Sequence, residues 1–288
     1  GKVTAFLVTP DMPGFEVVDA RMEKVGIRGT ATAKLAFHDM YVPKENILGQ
    51  IGKGLRLALT VLDFGRTTFG ATCTGAAKYC VERAVEYANE RRQFGRTLGE
   101  FGLIKEKIGL AAADTYAMES ATYHTAALID SGAEDYMLET SMLKVFASDS
   151  LWRIVNDTLQ IYGGAGFFTD QPFERMMRDA RLNTLGEGAN EVLRCFNAMV
   201  GLRNVGKDME QVLRKPWKVG NLLRSAPNIP VNHSLLQPAA GALSRQILAF
   251  SRACRSTLIK YREDILEHET LQARLGDVAT ELFHASCV

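Results

Sequence analysis

The spacing of apolar residues constrains the fold of this 288-residue chain more than any other feature. From Gly52 to about Gly206, apolar residues recur at three- and four-residue steps, which is the period of an α-helix with one buried face. The clearest stretch runs from about 135 to 162, and Gly163-Gly164 close it. Because long helices with short connections usually lie beside antiparallel neighbours, the sequence predicts an antiparallel helical bundle.

Five helical patterns fill this region. They are predicted at about 55–91, 101–130 and 135–162, from Gln171-Pro172 onward as a short helix, and from near Gly188 onward.

The two flanks of the helical region differ from it in pattern. Residues 1–51 are short apolar runs between turn signals such as Pro13-Gly14, which predict two to four strands at the edge of a small sheet or barrel. Residues 207–288 open with a Pro/Asn-rich connector and end in helical patterns at about 238–258 and 261–285. The predicted domains are therefore a β segment at 1–51, a helical bundle at 52–206 and an additional helical domain at 207–288.

Composition and charge exclude several classes of protein. Lys plus Arg number 34 against 33 for Asp plus Glu, so the net charge of +1 gives no field that would hold nucleic acid. No apolar run approaches the roughly 20 residues of a spanning helix, so none is predicted. The five cysteines and five histidines show no metal-ligand spacing, so no metal site is predicted. Because the chain opens at Gly1 directly into an apolar run, we expect missing N-terminal sequence.

Two segments near predicted helix ends each allow two interpretations. The glycines of Gly163-Gly164-Ala165-Gly166 suggest a dinucleotide loop, but a helix rather than a strand precedes them, and helix-capping glycines are the plainer interpretation. Arg91-Arg92-Gln93-Phe94-Gly95-Arg96 places three cations around an aromatic residue. These arginines either interact with the helix dipole or clamp a diphosphate, because guanidinium groups present forked donors to phosphate oxygens.

A carboxylate between two glycines is the third candidate site. Glu187 stands between Gly186 and Gly188 at the predicted entrance of a helix. Glycines let a ligand approach the backbone closely and leave neighbouring amides available as donors. The carboxylate is either a favourable charge at a helix N-terminus or, in a dry site, a general base, since desolvation raises the pKa of a carboxyl group.

Seven segments then occur in one order along the chain. They are Arg28-Gly29, Val42-Pro43-Lys44-Glu45-Asn46-Ile47-Leu48-Gly49, Asp63-Phe64-Gly65-Arg66, Glu90-Arg91-Arg92-Gln93-Phe94-Gly95, Gln160-Ile161-Tyr162-Gly163-Gly164-Ala165-Gly166-Phe167, Arg178-Asp179-Ala180-Arg181 and Glu187-Gly188-Ala189-Asn190-Glu191. Each segment alone is weak evidence of a relationship, but the ordered set over residues 1 to about 203 resembles the acyl-CoA dehydrogenase family. The segment 101–107 and the helical extension are most similar to its very-long-chain branch.

This resemblance has implications for the fold. Subunits of that family have an N-terminal helical domain, a middle β domain and a C-terminal four-helix bundle. The resemblance thus implies a mainly α chain, in which 1–51 ends the middle β domain and 52–206 is the antiparallel four-helix bundle. The chain would be the back half of a larger subunit. It also implies a homodimer or tetramer in which the pyrophosphate and adenine of FAD reach a neighbouring subunit.

The resemblance also assigns site residues, position by position. It implies that Glu187 is the catalytic base and that Asp63, Arg66 and Gly188 line the acyl-CoA cleft. The implied FAD contacts are Arg91, Gln93, Phe94, Phe101, Gly102, Gln160, Gly163, Gly164, Ala189, Asn190 and Glu191. Three positions depart from the family pattern, because Gly186 replaces an aromatic residue, Ala189 replaces a common threonine and Gly102 replaces a common glutamine.

The implied reaction is α,β-dehydrogenation of a long or very-long-chain acyl-CoA to trans-2-enoyl-CoA, as in fatty acid β-oxidation. The base removes the α-proton, the FAD cofactor accepts the β-hydrogen, and electron-transfer flavoprotein takes the electrons. An acyl-CoA oxidase and a non-catalytic assembly or binding protein stay as alternatives. The resemblance implies a cytoplasmic protein in a bacterium, or a protein of the mitochondrial matrix or inner-membrane surface in a eukaryote. It leaves peripheral membrane contact through 207–288 open.

Overall fold

The structure is a computed structural model that describes residues 2–215 and 225–288. Within those ranges the chain is mainly helical, as predicted. Its α-helices are α1 (Gly54–Glu90), α2 (Gly102–Asp130), α3 (Met137–Tyr162), α4 (Gly164–Phe167), α5 (Phe173–Asn183), α6 (Asn190–Arg214), α7 (Gln237–Tyr261) and α8 (Glu269–Cys287). Residue 1 and the part of the predicted connector at 216–224 lie outside the described residues.

The predicted β segment forms two short antiparallel ladders. Strands β1 (Ala5–Phe6) and β4 (Ile47–Leu48) pair with each other, and β2 (Phe15–Asp19) pairs with β3 (Lys34–Phe37). The segment is fastened to α5, because Asp179 accepts a hydrogen bond from the N–H of Ile27 at 2.5 Å.

Helices α1, α2 and α3 build the main core. Ala88 near the end of α1 and Ile104 near the start of α2 lie in one apolar cluster, and Lys78 pairs with Glu119 farther along both helices, so α1 and α2 are antiparallel. Lys107 near the start of α2 pairs with Asp157 near the end of α3, so α2 is antiparallel to α3 as well. Their shared interior is made of buried small and apolar side chains. It includes Cys73, Ala77, Cys80, Met118, Ala121, Leu143, Ala147, Leu151, Ile154 and Val155.

Helices α6, α7 and α8 form a second core, which contains Ala198, Leu202, Cys254, Ile265 and Leu275. The imidazole of His284 in α8 stacks on Phe146 of α3 at 3.9 Å between centroids, so α8 also packs against the main bundle. The predicted boundary at 206 falls inside α6, and the division into domains stays a prediction.

Two kinds of feature are absent from the described residues. No helix there is long and apolar enough to cross a bilayer. No group of three histidine, cysteine, aspartate or glutamate side chains there is placed to hold a metal ion. The five cysteines are all free thiols.

Candidate functional site

Glu187 lies in the short loop between α5 and α6. Its backbone is left-handed, with φ of 58°, and Gly188 follows with φ of 97°. A non-glycine residue in this region is strained, and the surrounding structure must hold it there. The loop ends at Ala189, the N-cap of α6, and Glu191 is exposed in the first turn of that helix.

The carboxyl group of Glu187 is directed at α1. A Cβ atom added to Gly65 would lie 3.0 Å from its Oε2 atom, so the missing side chain of Gly65 makes room for the carboxyl group. Oε2 is buried and has no hydrogen-bond partner among the described residues. A buried carboxyl oxygen without a protein partner is rare and remains free to accept a proton or a ligand donor.

A buried cation from α1 holds the backbone of this loop. Arg66 donates from Nε to the carbonyl oxygen of Glu187 at 3.2 Å and from Nη1 to Oδ1 of Asp63 at 3.1 Å. Thr140 of α3 donates to the same Asp63 oxygen at 3.4 Å. Burial raises the pKa of Asp63, against the opposing attraction of Arg66. The predicted cleft residues Asp63, Arg66 and Gly188 are thus brought together with Glu187.

A second buried cation comes from α3. Lys144 donates from Nζ to the carbonyl oxygen of Gly188 at 2.8 Å and to Oδ1 of Asn190 at 2.7 Å. The side chain of Lys144 is fully buried, and this burial lowers the pKa of Lys144 to about 8 although Asp149 opposes the shift. Asn190 also donates from Nδ2 to Ser148 Oγ at 2.9 Å, so the first residue of α6 is fastened to α3.

The backbone donors of the same loop are free. Within the described residues, the N–H groups of Glu187 and Gly188 donate no hydrogen bond. They lie beside the buried carboxyl group and are therefore positioned as candidates to stabilise negative charge that develops on a ligand oxygen.

The second predicted group of residues lies where α1 ends and α2 begins. After α1 the chain forms a hairpin of β5 (Arg92–Gln93) and β6 (Arg96–Thr97), which the sequence analysis did not predict. Phe94 at its tip has φ of 51° and is 91% exposed. The ring of Phe94 meets the ring of Phe101 edge to face at 6.3 Å, and the Arg96 guanidinium lies 4.0 Å from the centre of the Phe101 ring. Arg91 and Gln93 are exposed.

The end of α3 lies beside this hairpin. Tyr162 stacks on Tyr87 in the last turns of α1 at 4.1 Å. Gly163 caps α3 with φ of 58°, as the capping interpretation predicts, and a Cβ atom at Gly163 or Gly164 would meet no other atom within 4 Å. Eight predicted cofactor residues therefore lie at one end of the bundle and are called the hairpin group. They are Arg91, Gln93, Phe94, Phe101, Gly102, Gln160, Gly163 and Gly164.

The hairpin group and the Glu187 loop are well separated within one chain. Lys144, which holds the loop, and Gln160 of the hairpin group are both in α3. Sixteen residues of helix at 1.5 Å per residue place them about 24 Å apart. The predicted site residues thus form two clusters, and a ligand that contacts both clusters of one chain must span that distance.

The residues of α3 that hold the Glu187 loop were not predicted from the sequence. Lys144 and Thr140 come from a helix in which only the apolar face was considered. A usable signal was present, because Lys144 interrupts the run Met142-Leu143-Lys144-Val145-Phe146 on a helix predicted to be buried. A lysine at such a position needs partners for its charge, and these are found in a loop more than 40 residues away.

Known proteins are similar to this chain over most of its length. Residues 52–201 match the family model of the acyl-CoA dehydrogenase C-terminal domain. The mitochondrial very long-chain specific acyl-CoA dehydrogenase of Bos taurus is 33% identical over 301 residues, which cover 98% of this chain and 46% of that protein. A probable acyl-CoA dehydrogenase of Bacillus subtilis is 32% identical, over 98% of this chain and 50% of that protein.

A solved structure is similar over the same range. The crystal structure of an acyl-CoA dehydrogenase complexed with FAD from Bacillus anthracis has a TM-score of 0.85 and 31% identity, covering 98% of this chain and 50% of that chain. The chain spans about half the length of the relatives that it matches.

Proposed function

This chain belongs to the acyl-CoA dehydrogenase family, and on that premise we propose that the protein carrying it uses FAD to dehydrogenate a long-chain acyl-CoA to a trans-2-enoyl-CoA. One observation carries the proposal above all others. Glu187 offers a buried carboxyl oxygen without a partner, on a backbone that Arg66 and Lys144 hold in a strained conformation. Strain at such a residue is characteristic of sites at which position matters for chemistry.

The residues present fit a flavin dinucleotide. Exposed guanidinium groups at Arg91 and Arg92 suit its diphosphate, and the exposed ring of Phe94 suits packing against an aromatic cofactor. Gly163 and Gly164 leave their surface open for close approach. The hairpin group, with Ala189 and Glu191 of another subunit, would hold FAD. Asn190, the third residue predicted there, is 2% exposed, and its side chain is bound to Lys144 and Ser148 of α3, so it positions the loop instead of contacting the cofactor. When bound, FAD supplies the acceptor for the electron pair that leaves with the β-hydrogen.

Glu187 performs the proton transfer in this proposal. The α-proton of a thioester is weakly acidic, so its removal needs a positioned base and stabilisation of the oxygen on which negative charge develops. The Glu187 carboxylate takes the α-proton, and the free N–H of the same residue is available to the thioester oxygen. Arg66 and Lys144 act on the loop carbonyls and fix the direction of the carboxyl group.

Substrate length and partners are finer parts of the proposal. Similarity to the very long-chain specific enzyme of Bos taurus over 98% of this chain supports a long acyl chain. We propose electron-transfer flavoprotein as the electron acceptor and a homodimer or tetramer as the assembly, because the resemblance implies both. The relatives include mitochondrial and bacterial proteins, so the proposed compartment is mitochondrial in a eukaryote and cytoplasmic in a bacterium.

Flavin absorbance tests the proposed role of Glu187. The complete protein should be yellow, and palmitoyl-CoA added without oxygen should bleach it. Glu187→Gln should keep the colour and bleach at least about 100-fold more slowly, because the amide cannot accept the proton. Glu263→Gln is the matched control, since Glu263 is exposed in the short segment between α7 and α8 and belongs to neither the Glu187 loop nor the hairpin group, and it should retain most of the wild-type rate.

Three results would contradict parts of the proposal. A colourless protein that FAD does not restore excludes both the dehydrogenase and the oxidase. If Glu187→Gln bleaches at the wild-type rate, another group is the base. Rapid reoxidation of the bleached protein by oxygen, without electron-transfer flavoprotein, identifies an oxidase instead.

A further inference from the structure

A pocket with charged walls lies where α2, α3, α6 and α8 meet. Its volume is about 430 Å³, and small-molecule sites commonly measure about 300 to 1,000 Å³. Neither α1 nor the Glu187 loop nor the hairpin group contributes a residue to its wall. The pocket is therefore separate from the residues proposed to bind acyl-CoA and FAD.

The wall of this pocket carries more negative than positive charge. Two guanidinium groups and four carboxyl groups line it, and they belong to Arg153, Arg194, Asp114, Asp149, Asp277 and Glu281. Arg153 pairs with Asp114, and Arg194 pairs with both Asp149 and Asp277. When all six groups are charged, four negative charges face two positive charges, so two negative charges are in excess.

Glu281 of α8 is the carboxyl group that no arginine pairs with. Among the described residues it makes no hydrogen bond and no ion pair, whereas each of the other three carboxyl groups has an arginine partner. Partial burial raises the pKa of Glu281, the charge of Arg153 opposes this effect, and the charge of Asp277 adds to it. A ligand cation beside Glu281 would favour the charged form of its carboxyl group.

A buried hydroxyl group also faces the pocket. Ser150 of α3 lines the pocket and is 4% exposed. Its Oγ atom makes no hydrogen bond with a described residue, whereas the hydroxyl group of the nearby Ser148 donates to the carbonyl oxygen of Lys144. The same Oγ atom is not fully occluded, so a molecule in the pocket can reach it. A hydroxyl oxygen in this position can accept a hydrogen bond from a ligand N–H group.

The rest of the wall defines the shape of an occupant. Leu110, Val145 and Phe146 line the same pocket and offer apolar surface to an alkyl chain. Water occupies about 30 Å³ per molecule in the liquid, so the pocket holds roughly a dozen non-hydrogen atoms of similar size. No three of the described carboxyl groups are placed to hold one metal ion. An elongated cation with two separate charges fits these walls better than a single metal ion.

We propose that this pocket binds a short aliphatic diamine, a ligand with an ammonium group at each end of an alkyl chain. Its two positive charges offset the two excess negative charges of the wall, and one ammonium group pairs with Glu281. The hydroxyl oxygen of Ser150 accepts an N–H hydrogen bond, and the methylene groups contact the apolar part of the wall. This inference does not depend on the proposed dehydrogenase activity, because it uses neither Glu187 nor the hairpin group.

Two glutamates of α8 provide a matched test with putrescine, the diamine with four methylene groups. Glu281 lines the pocket, whereas Glu269 is exposed in the first turn of the same helix and does not line it. In equilibrium dialysis of the complete protein at low ionic strength, the wild type and Glu269→Gln should each bind one equivalent of radiolabelled putrescine. Glu281→Gln should bind it at least about tenfold more weakly, because a charged partner is lost. Ser150→Ala should bind it several-fold more weakly.

A ligand series tests the two charges without any variant. Butylamine has the same alkyl chain with one ammonium group, and 1,4-butanediol has two hydroxyl groups and no charge. The wild type should bind butylamine at least about tenfold more weakly than putrescine, and 1,4-butanediol should not compete with putrescine.

Four results would overturn the proposal. They are absence of saturable putrescine binding to the wild type, equal affinity for putrescine and butylamine, displacement of putrescine by an equal concentration of Mg²⁺, and unchanged binding in Glu281→Gln when circular dichroism shows a folded protein. The first three results do not depend on any variant folding. Unchanged binding in a folded Ser150→Ala would overturn the role of the hydroxyl group.

Discussion

Glu187 occupies a backbone conformation that glutamate rarely adopts, and its neighbours explain how it is kept there. Its φ of 58° and the φ of 97° at Gly188 turn the chain sharply before α6. Arg66 and Lys144 each bond one of the two successive carbonyl oxygens. Strain of this kind costs on the order of 1–3 kcal/mol, and buried charge-assisted hydrogen bonds of about 1.5–3 kcal/mol are large enough to offset it.

Gly188 should not tolerate a side chain. Gly188→Ala forces a left-handed alanine, and its Cβ atom would lie 3.1 Å from Cδ2 of Leu193. We expect the free energy of unfolding to fall by about 1–3 kcal/mol in urea denaturation. Gly186→Ala is the control, because φ at Gly186 is not positive and the nearest atom to its Cβ would be 3.6 Å away. Equal losses in the two variants would show that the left-handed turn is not the cause.

The buried amino group of Lys144 should make the free energy of unfolding depend on pH. Burial lowers the pKa of Lys144 to about 8 in the folded chain, from the ordinary lysine value of 10.5. Between pH 8 and 10.5 the unfolded chain therefore binds a proton that the folded chain has released. The contribution of Lys144 to the free energy of unfolding consequently rises with pH in this range and is lost as pH falls towards 8. The slope should approach about 1.4 kcal/mol per pH unit.

Denaturation across that pH range checks the prediction. The stability of the wild type relative to Lys144→Met should rise between pH 8 and 10.5. The two chains must be compared, because burial raises the pKa values of Cys73, Cys80 and Cys287, which lowers the stability of both chains above about pH 9. The control is Lys78→Met, since Lys78 lies on the surface in an ion pair with Glu119 and should leave the rise unchanged. A wild-type curve without any excess over Lys144→Met would contradict the buried-charge explanation.

Helices α6 and α8 approach so closely that one position must lack a side chain. A Cβ atom at Gly276 of α8 would lie 2.2 Å from the carbonyl oxygen of Arg194 in α6. Arg194 also pairs with Asp149 of α3 and Asp277 of α8, so three helices meet at this point. This contact joins the two cores and fixes how α8 lies on the bundle.

Gly276→Ala should separate these helices. Because the clash is with backbone rather than with a flexible side chain, we expect a loss of about 1–3 kcal/mol in the free energy of unfolding. Gly241→Ala in α7 is the control, since its Cβ would meet only the far end of the Arg245 side chain at 3.6 Å. That variant should be stabilised by up to about 1 kcal/mol, because alanine favours helix more than glycine. Thermal denaturation followed by circular dichroism would reveal both shifts, and a stabilised Gly276→Ala would contradict the close contact.

At the scale of the whole molecule, the hairpin group and the Glu187 loop lie apart. About 24 Å of α3 lies between Lys144, at the Glu187 loop, and Gln160, in the hairpin group. In the proposed assembly, the hairpin group of one subunit and the Glu187 loop of its partner would complete one site. This arrangement predicts that two different inactive variants can restore each other.

Subunit mixing tests that arrangement. Arg91→Glu should impair the cofactor site and Glu187→Gln the base, so each variant alone should show little acyl-CoA dehydrogenase activity. After joint refolding of equal amounts of the two variants, mixed dimers should regain about one quarter of the wild-type activity, since half of the dimers are mixed and each has one intact site. If native mass spectrometry shows mixed dimers but activity does not recover, both clusters of a site belong to one chain.

The position of a helix and its glycine cap were predictable because they depend on residues only a few positions apart. The apolar period predicted a helix at 135–162, close to the observed Met137–Tyr162, and Gly163 was expected to cap it. The β5–β6 hairpin was not predicted, because the two residues in each of its strands are too few to show a period. The contacts of Lys144 were missed because its partners are distant in sequence, and helical periodicity carries no information about them.

The sequence by itself determined that the chain is mainly helical, where α1, α2 and α3 begin and end to within about two residues, and which ordered segments resemble a family. These properties depend on spacing over a few residues and on motifs, which a linear sequence records directly. The tertiary structure alone decided that the Glu187 oxygen is buried without a partner, that Arg66 and Lys144 hold its loop, and that the two clusters lie apart. The physical reason is that burial and hydrogen bonding between distant residues exist only after the helices have packed.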